Sequence, residues 1–156
     1  MNDTIKMTRL EGTELIVETR DGVEVYDSKF LVAALLIFVA QGSGSIAPEE
    51  SAKMLDLIED HFKMEGSESL ELLTRAISEL ADKPGLGEHL AQLGKTLSDQ
   101  QKEDIAVMAL KVIAADGRRE FAEMENFSRA VEAVGVSPEI VHRAFDRYFA
   151  DTMPGS

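Results

Sequence analysis

The chain has 156 residues, enough for one domain with an ordinary hydrophobic core, and its lack of cysteine excludes disulfides and zinc sites built from thiolates. Its 29 acidic residues outnumber its 16 basic residues and give a formal net charge of -13. Binding to a phosphate backbone depends on clustered lysine and arginine, so this charge argues against a nucleic-acid partner.

Residues 1–28 differ in kind from the rest and are predicted to form an N-terminal extension. Within them, "ELIVETRDGVEVY" (residues 14–26) carries β-branched residues on both sides of Asp21-Gly22, the pattern of a β-hairpin whose turn uses glycine. We expect a short β-hairpin, with a frayed helix as the alternative. Because an isolated hairpin is barely stable in water, its apolar face should pack on the helices.

The most apolar segment is "FLVAALLIFVA" (residues 30–40), whose 11 residues fall short of the roughly 20 that a membrane-spanning helix needs. It is predicted to be a buried helix. The first residues, "MNDTIKMTRLEG", lack the basic start and apolar centre of a signal peptide. We therefore expect no membrane span and a cytoplasmic location.

From residue 29 to about residue 150, apolar residues recur at helical spacing and predict an all-α domain of about seven helices. Ser98 and Gln101 form a capping-box pair at the start of one helix, and the preceding "GEHLAQLGKTL" predicts a shorter, weaker one. Residues 151–156 are expected to form a disordered tail. Two of the predicted apolar stripes are Met54, Leu57, Ile58 and Phe62, and Leu70, Leu73, Ile77 and Leu80.

An internal repeat appears when the chain is shifted by 73 residues, the offset between Ser43 and Asp116. Any two amphipathic hairpins share stripe spacing, so chance alignment is the alternative. Coincidence of glycine and glutamate together with the apolar register favours a true repeat of two helical hairpins. The matched pairs are Gly44 with Gly117, Glu50 with Glu123, Met54 with Phe127, and Ile58 with Val131.

These two copies, "LLIFVAQGSGSIAPEE" and "ALKVIAADGRREFAEME" followed by "EAVGVSPE", resemble the tellurite-resistance protein B-like (TerB-like) family over about residues 30–149. The resemblance implies an all-α bacterial cytoplasmic domain built on two helical hairpins. It also implies association with tellurite and other stress responses, divalent-cation binding at acidic clusters, and a role as an interaction module without known catalysis.

Four residues occupy corner positions of this family: Ser43, Gly44, Glu50 and Gly117. The first copy departs from the family pattern because Ser43 stands where the family usually has aspartate. The second copy has Asp116, Gly117 and Glu123 but places Arg119 where an apolar residue is usual. Neither copy has the complete family pattern, so the resemblance supports the architecture first and the function second.

The second corner contains the candidate metal ligands Asp116, Glu120 and Glu123, which could hold a divalent cation such as Ca²⁺. Glu120 and Glu123 are three residues apart and could converge with Asp116 across the corner. However, the segment lacks the alternating oxygen ligands of an EF-hand loop, and Arg118 and Arg119 oppose a cation.

A purely structural interpretation of this corner is the one that the sequence favours. Gly117 can supply the positive φ that ends a helix, and acids favour the start of the next helix through its dipole. Little stabilisation by calcium or magnesium is expected on this interpretation. Of the other candidates, His61, His89 and His142 lack metal-ligand spacing, and His61 is expected to be partly buried beside Phe62.

Acidic residues also cluster on the helix after the first corner, where they are expected to form a solvated face or a docking surface for a basic partner. They are Glu49, Glu50, Asp56, Glu59, Asp60 and Glu65. We therefore expect a non-enzymatic module with a protein partner, and a homo-oligomer is compatible with the sequence. The alternative is a carboxylate-based metal hydrolase using Asp116, Glu120 and Glu123, which lacks a recognisable nucleophile and general base.

Overall fold

The computed structural model describes residues 5–41, 46–83, 85–115 and 121–152. In these residues seven α-helices follow a small antiparallel sheet, which confirms the predicted all-α class with an N-terminal β-structure. The strands are β1 (Ile5–Glu11), β2 (Glu14–Thr19) and β3 (Gly22–Tyr26). The helices are α1 (Ser28–Ala40), α2 (Pro48–Phe62), α3 (Gly66–Asp82), α4 (Leu86–Leu90) with a following 3₁₀ helix (Ala91–Thr96), α5 (Asp99–Ala114), α6 (Phe121–Val134) and α7 (Pro138–Thr152).

The N-terminal sheet contains the predicted hairpin as β2 and β3, and it adds a third strand that the sequence did not predict. Strand β1 pairs with β2, so β2 is central and the order is β1-β2-β3. The register of β1 shifts between Ile5 and Met7, so Ile5, Thr8 and Leu10 are half-buried while Met7 is exposed, and the strand lacks a regular apolar alternation in its sequence. Gly12, with φ of 60°, forms the turn into β2.

One face of the sheet packs on the helices. Leu15 pairs with Tyr26 across β2 and β3, and both side chains are buried together with Val17. The ring of Tyr26 lies 4.6 Å from that of Phe30 in α1, centroid to centroid. This contact joins the sheet to the helical body.

Arg75 of α3 completes this junction. Its guanidinium lies over the rings of Tyr26 and Phe30, 5.7 and 5.2 Å from their centroids. It also forms ion pairs with Glu24 of β3 at 3.5 Å and with Glu79 of α3 at 3.2 Å. The guanidinium therefore links the sheet to α3 through charge and to α1 through its flat face.

Helix α1 lies at the centre of the helical body. Ten of its thirteen residues are buried, and it contacts α2, α3, α5 and α6. Helix α5 is the second core helix and packs on α7, where Glu103 forms ion pairs with Arg143 at 3.0 Å and Arg147 at 3.2 Å. Because α1 is apolar on every side, other helices must enclose it.

The predicted repeat is visible in the helices. The ends of α1 and α5 keep the 73-residue offset to within one residue, and the matched pairs Glu50 and Glu123, Met54 and Phe127, and Ile58 and Val131 are all buried. The contacts follow the same symmetry, because α1 contacts α6 as α5 contacts α2. The two hairpins, α1-α2 and α5-α6, are thus equivalent parts of one body.

Two predicted details are wrong. The stripe on α3 fails at Leu70 and Ile77, which are 54% and 44% exposed. Small Ser69 and Ala76 are buried with Leu73 instead, because they allow α3 to approach α1 closely. His61 is exposed rather than partly buried. Its ring centroid lies 4.7 Å from that of Phe62, in an edge-to-face arrangement.

The remaining predictions concern the segments around the core. The short helix predicted before α5 is α4 with the 3₁₀ helix, whose Gly94 packs so closely on the Val134 carbonyl that a Cβ would overlap it. Helix α7 includes residues 151 and 152, and the rest of the predicted tail lies outside the described residues. No helix in the described ranges has both the length and the apolar character needed to cross a membrane.

Tyr26→Phe should remove a loss of stability at alkaline pH. Burial, with Glu79 and Glu24 nearby, raises the pKa of Tyr26 above its usual value of 10.0. A raised pKa means that the stabilisation is present below pH 10 and falls as pH rises further, because the unfolded chain loses its proton first. Between pH 9 and 11 the wild type should lose about 1.4 kcal/mol more unfolding free energy than Tyr26→Phe. Urea unfolding measures this difference, and parallel pH profiles would contradict it.

Candidate functional site at the two helix corners

Glu50 is the third residue of α2 and is buried, with 1% of its surface exposed. Its Oε1 accepts a hydrogen bond from the backbone N–H of Ala47 at 3.0 Å. Ala47 precedes the helix and has no side-chain acceptor, so only this half of a capping box can form. One carboxylate oxygen therefore has a structural use at the start of the helix.

The second oxygen of Glu50 has no such use. Its Oε2 is buried and has no hydrogen-bond partner within the part of the chain that the structure describes. Burying an ionised carboxylate costs several kcal/mol unless hydrogen bonds or an opposite charge compensate it. The hydrogen bond to Ala47 uses only Oε1, so capping accounts for one oxygen of the buried carboxylate and leaves Oε2 without a role.

Glu123 occupies the same place in the second hairpin. It lies on α6, 73 residues after Glu50, and is fully buried, with 0% of its surface exposed. By contrast, the neighbouring acids Glu49 and Glu125 are exposed. Burial is therefore specific to the equivalent positions of Glu50 and Glu123 and is not shared by the acidic residues beside them.

Asn126 shows that α6 lies against the end of α1. Its Nδ2 donates a hydrogen bond of 2.9 Å to the carbonyl of Phe38. Phe38 lies in the last turn of α1, where carbonyls lack partners within the helix. Asn126 is one turn beyond Glu123, so the hydrogen bond joins this part of α6, from the second hairpin, to the end of the first helix of the first hairpin.

The chain is matched by one family model. That model, described as tellurite resistance protein TerB, covers residues 29–146. This chain belongs to the TerB family. No curated protein and no solved structure matches it significantly. The sheet of residues 5–26 precedes the part of the chain that matches the TerB family.

Most of the predicted corner residues of this TerB chain lie outside the described residues. Asp116, Gly117 and Glu120 in the second corner, and Ser43 and Gly44 in the first, belong to this group. Of the predicted ligands, Glu123 lies among the described residues, where it is buried like the predicted corner residue Glu50 of the first copy. Within the described ranges, no three His, Asp or Glu side chains are grouped so that they could hold a metal ion.

Glu50 corrects the predicted acidic face on α2. It is buried, whereas Glu49, Asp56, Asp60 and Glu65 are exposed. The sequence contained the signal, because Glu50 lies four and eight residues before the buried Met54 and Ile58. Glu123 has the same spacing to its own buried partners, Phe127 and Val131.

Replacing Asn126 should weaken the contact between α6 and the end of α1. Asn126→Ala removes one solvent-exposed hydrogen bond and should lower the unfolding free energy by about 0.5 to 1 kcal/mol. Asn126→Asp should cost more, because a carboxylate would face the Phe38 carbonyl and the negative end of the α1 dipole. Ser128→Ala, at an exposed position of the same helix, is the control and should change stability by less than about 0.5 kcal/mol. An Asn126→Asp protein as stable as the wild type would contradict the contact.

Proposed function

We propose that this TerB-family chain is a non-enzymatic, protein-interaction component of a bacterial tellurite-resistance type of stress response. We also propose that it binds a divalent cation through Glu50 and Glu123, the corresponding glutamates of the two hairpins. The family match supports the tellurite-resistance context. The observation that carries the cation is the buried Oε2 of Glu50, which has no hydrogen-bond partner among the described residues.

A divalent cation would compensate for the burial of the Glu50 carboxylate, whose Oε2 has no hydrogen-bond partner among the described residues. Calcium and magnesium prefer oxygen ligands, and a carboxylate from each hairpin would supply two of them through Glu50 and Glu123. Asp116 and Glu120, close to Glu123 in sequence, are the candidates for further ligands. Water and backbone carbonyls commonly complete such a coordination shell.

The acidic surface supports the interaction role. The net charge of -13 and the exposed acids Asp56, Asp60 and Glu65 create a negative field that would attract a partner with a basic surface. The hydrolase alternative is less well supported, because Glu123 is fully buried and would be closed to a substrate.

Thermal unfolding with calcium or magnesium chloride tests the cation. At a free ion concentration of ten times Kd, binding should stabilise the protein by about 1.4 kcal/mol. For a domain of this size the melting temperature should rise by roughly 3 to 6 °C. Glu50→Gln should remove the rise, because the amide keeps the acceptor for Ala47 but loses the charge. Exposed Glu49→Gln is the matched control and should retain it.

Variants of the two corners extend the same experiment. Asp116→Asn should reduce the rise in melting temperature, whereas Ser43→Ala should leave it unchanged because that position lacks a carboxylate. Without added ion, Glu50→Gln should be at least as stable as the wild type, since a neutral amide costs less to bury than a carboxylate. A wild type that does not respond to either ion, or an equal response from Glu50→Gln, would overturn the cation proposal.

A further inference from the structure

A groove of about 490 Å³ runs along α1 between α4 and α6. Its floor consists of Leu31, Leu35 and Phe38, which recur on one side of α1 at helical spacing. The floor spans two helical turns, about 11 Å. Phe38 is 41% exposed at one end, although α1 is otherwise the most enclosed helix.

Small residues keep the groove open. Ala130 and Ala133 line it from α6, and Gly85 and Gly87 line it from the start of α4. Larger side chains at these positions would fill the space above the floor. The groove's size lies within the range of about 300 to 1,000 Å³ that is usual for small-molecule sites, and its lining is mainly apolar, as in such sites.

The groove also has one charge on each of two walls. Arg129 projects from α6, and Glu88 lies on α4. Among the described residues, Arg9, Arg75, Arg143 and Arg147 form ion pairs with acids, whereas Arg20 and Arg129 form none, and of these two only Arg129 lines the groove. An arginine without an acidic partner among the described residues, beside an apolar groove, is suited to an anion from outside the chain.

We propose that this groove binds a single-chain aliphatic carboxylate. The aliphatic chain lies along the α1 floor, and the carboxylate pairs with Arg129. Glu88 repels an anion from the α4 wall, so the two charges set the orientation of the ligand. The site is separate from the buried glutamates, and its occupation does not require a divalent cation.

The test is a titration of the full chain with decanoate, followed by backbone amide NMR in a buffer with EDTA and below the micelle concentration. EDTA separates this test from that of the cation. Decan-1-ol is the matched probe, because it has the same chain length without the charge. Decanoate should shift the amides of α1, α4 and α6 along the groove and bind about fivefold more tightly than decan-1-ol.

Three variants assign the contacts. Arg129→Gln should weaken decanoate about fivefold and leave decan-1-ol unchanged, because it removes only the charge. Ala133→Leu should abolish binding of both probes by filling the groove, and Ala133 is exposed, so the larger side chain should not disturb the core. Arg20→Gln removes an exposed arginine that does not line the groove, and it should have no effect.

The outcomes are decisive in either direction. Decanoate binding that Arg129→Gln weakens and Ala133→Leu abolishes supports the proposal. Equal affinity for the two probes, shifts away from α1, α4 and α6, or the absence of binding would overturn it.

Discussion

The enclosure of α1 is the constraint on which the rest of the structure depends. Because α1 is apolar on every side, four other helices and the ring of Tyr26 must surround it. The second hairpin supplies α5 and α6 for this purpose, and α6 begins beside the end of α1. That arrangement brings the second hairpin against the end of α1. The remaining side of α1 forms the floor of the groove, where Leu31 and Leu35 are buried and Phe38 is exposed.

The buried glutamates stand out against this apolar core. Each lies on the same stripe as two large apolar residues, at a position where an apolar side chain would pack without cost of desolvation. The chain retains a carboxylate there in both hairpins. The helix dipole and the capping hydrogen bond offset part of the cost at Glu50, but its Oε2 gains nothing from them. A bound cation would account for the remainder and explain why the same residue type recurs in both copies.

The sequence predicted the parts of the fold that depend on local pattern. The apolar run of α1, the 73-residue repeat and the hairpin of residues 14–26 all reappear in the structure. It failed where tertiary packing decides, as on α3, where Ser69 and Ala76 are buried in place of Leu70 and Ile77. Glu50 was assigned to the surface because a glutamate is rarely buried, although its spacing to Met54 and Ile58 indicated otherwise. The groove could not be predicted, since it depends on the separation of helices distant in sequence.

The central claim is that Glu50 and Glu123, one buried glutamate from each hairpin, bind a divalent cation. Its most direct test is a crystal structure of the full chain soaked in manganese chloride, because Mn²⁺ shares the preference for oxygen ligands and scatters anomalously. The account predicts an anomalous peak about 2.0 to 2.6 Å from Oε2 of Glu50, the usual range of cation–oxygen bonds. A structure without that peak, in which Oε2 instead accepts a hydrogen bond from a backbone N–H, would contradict it.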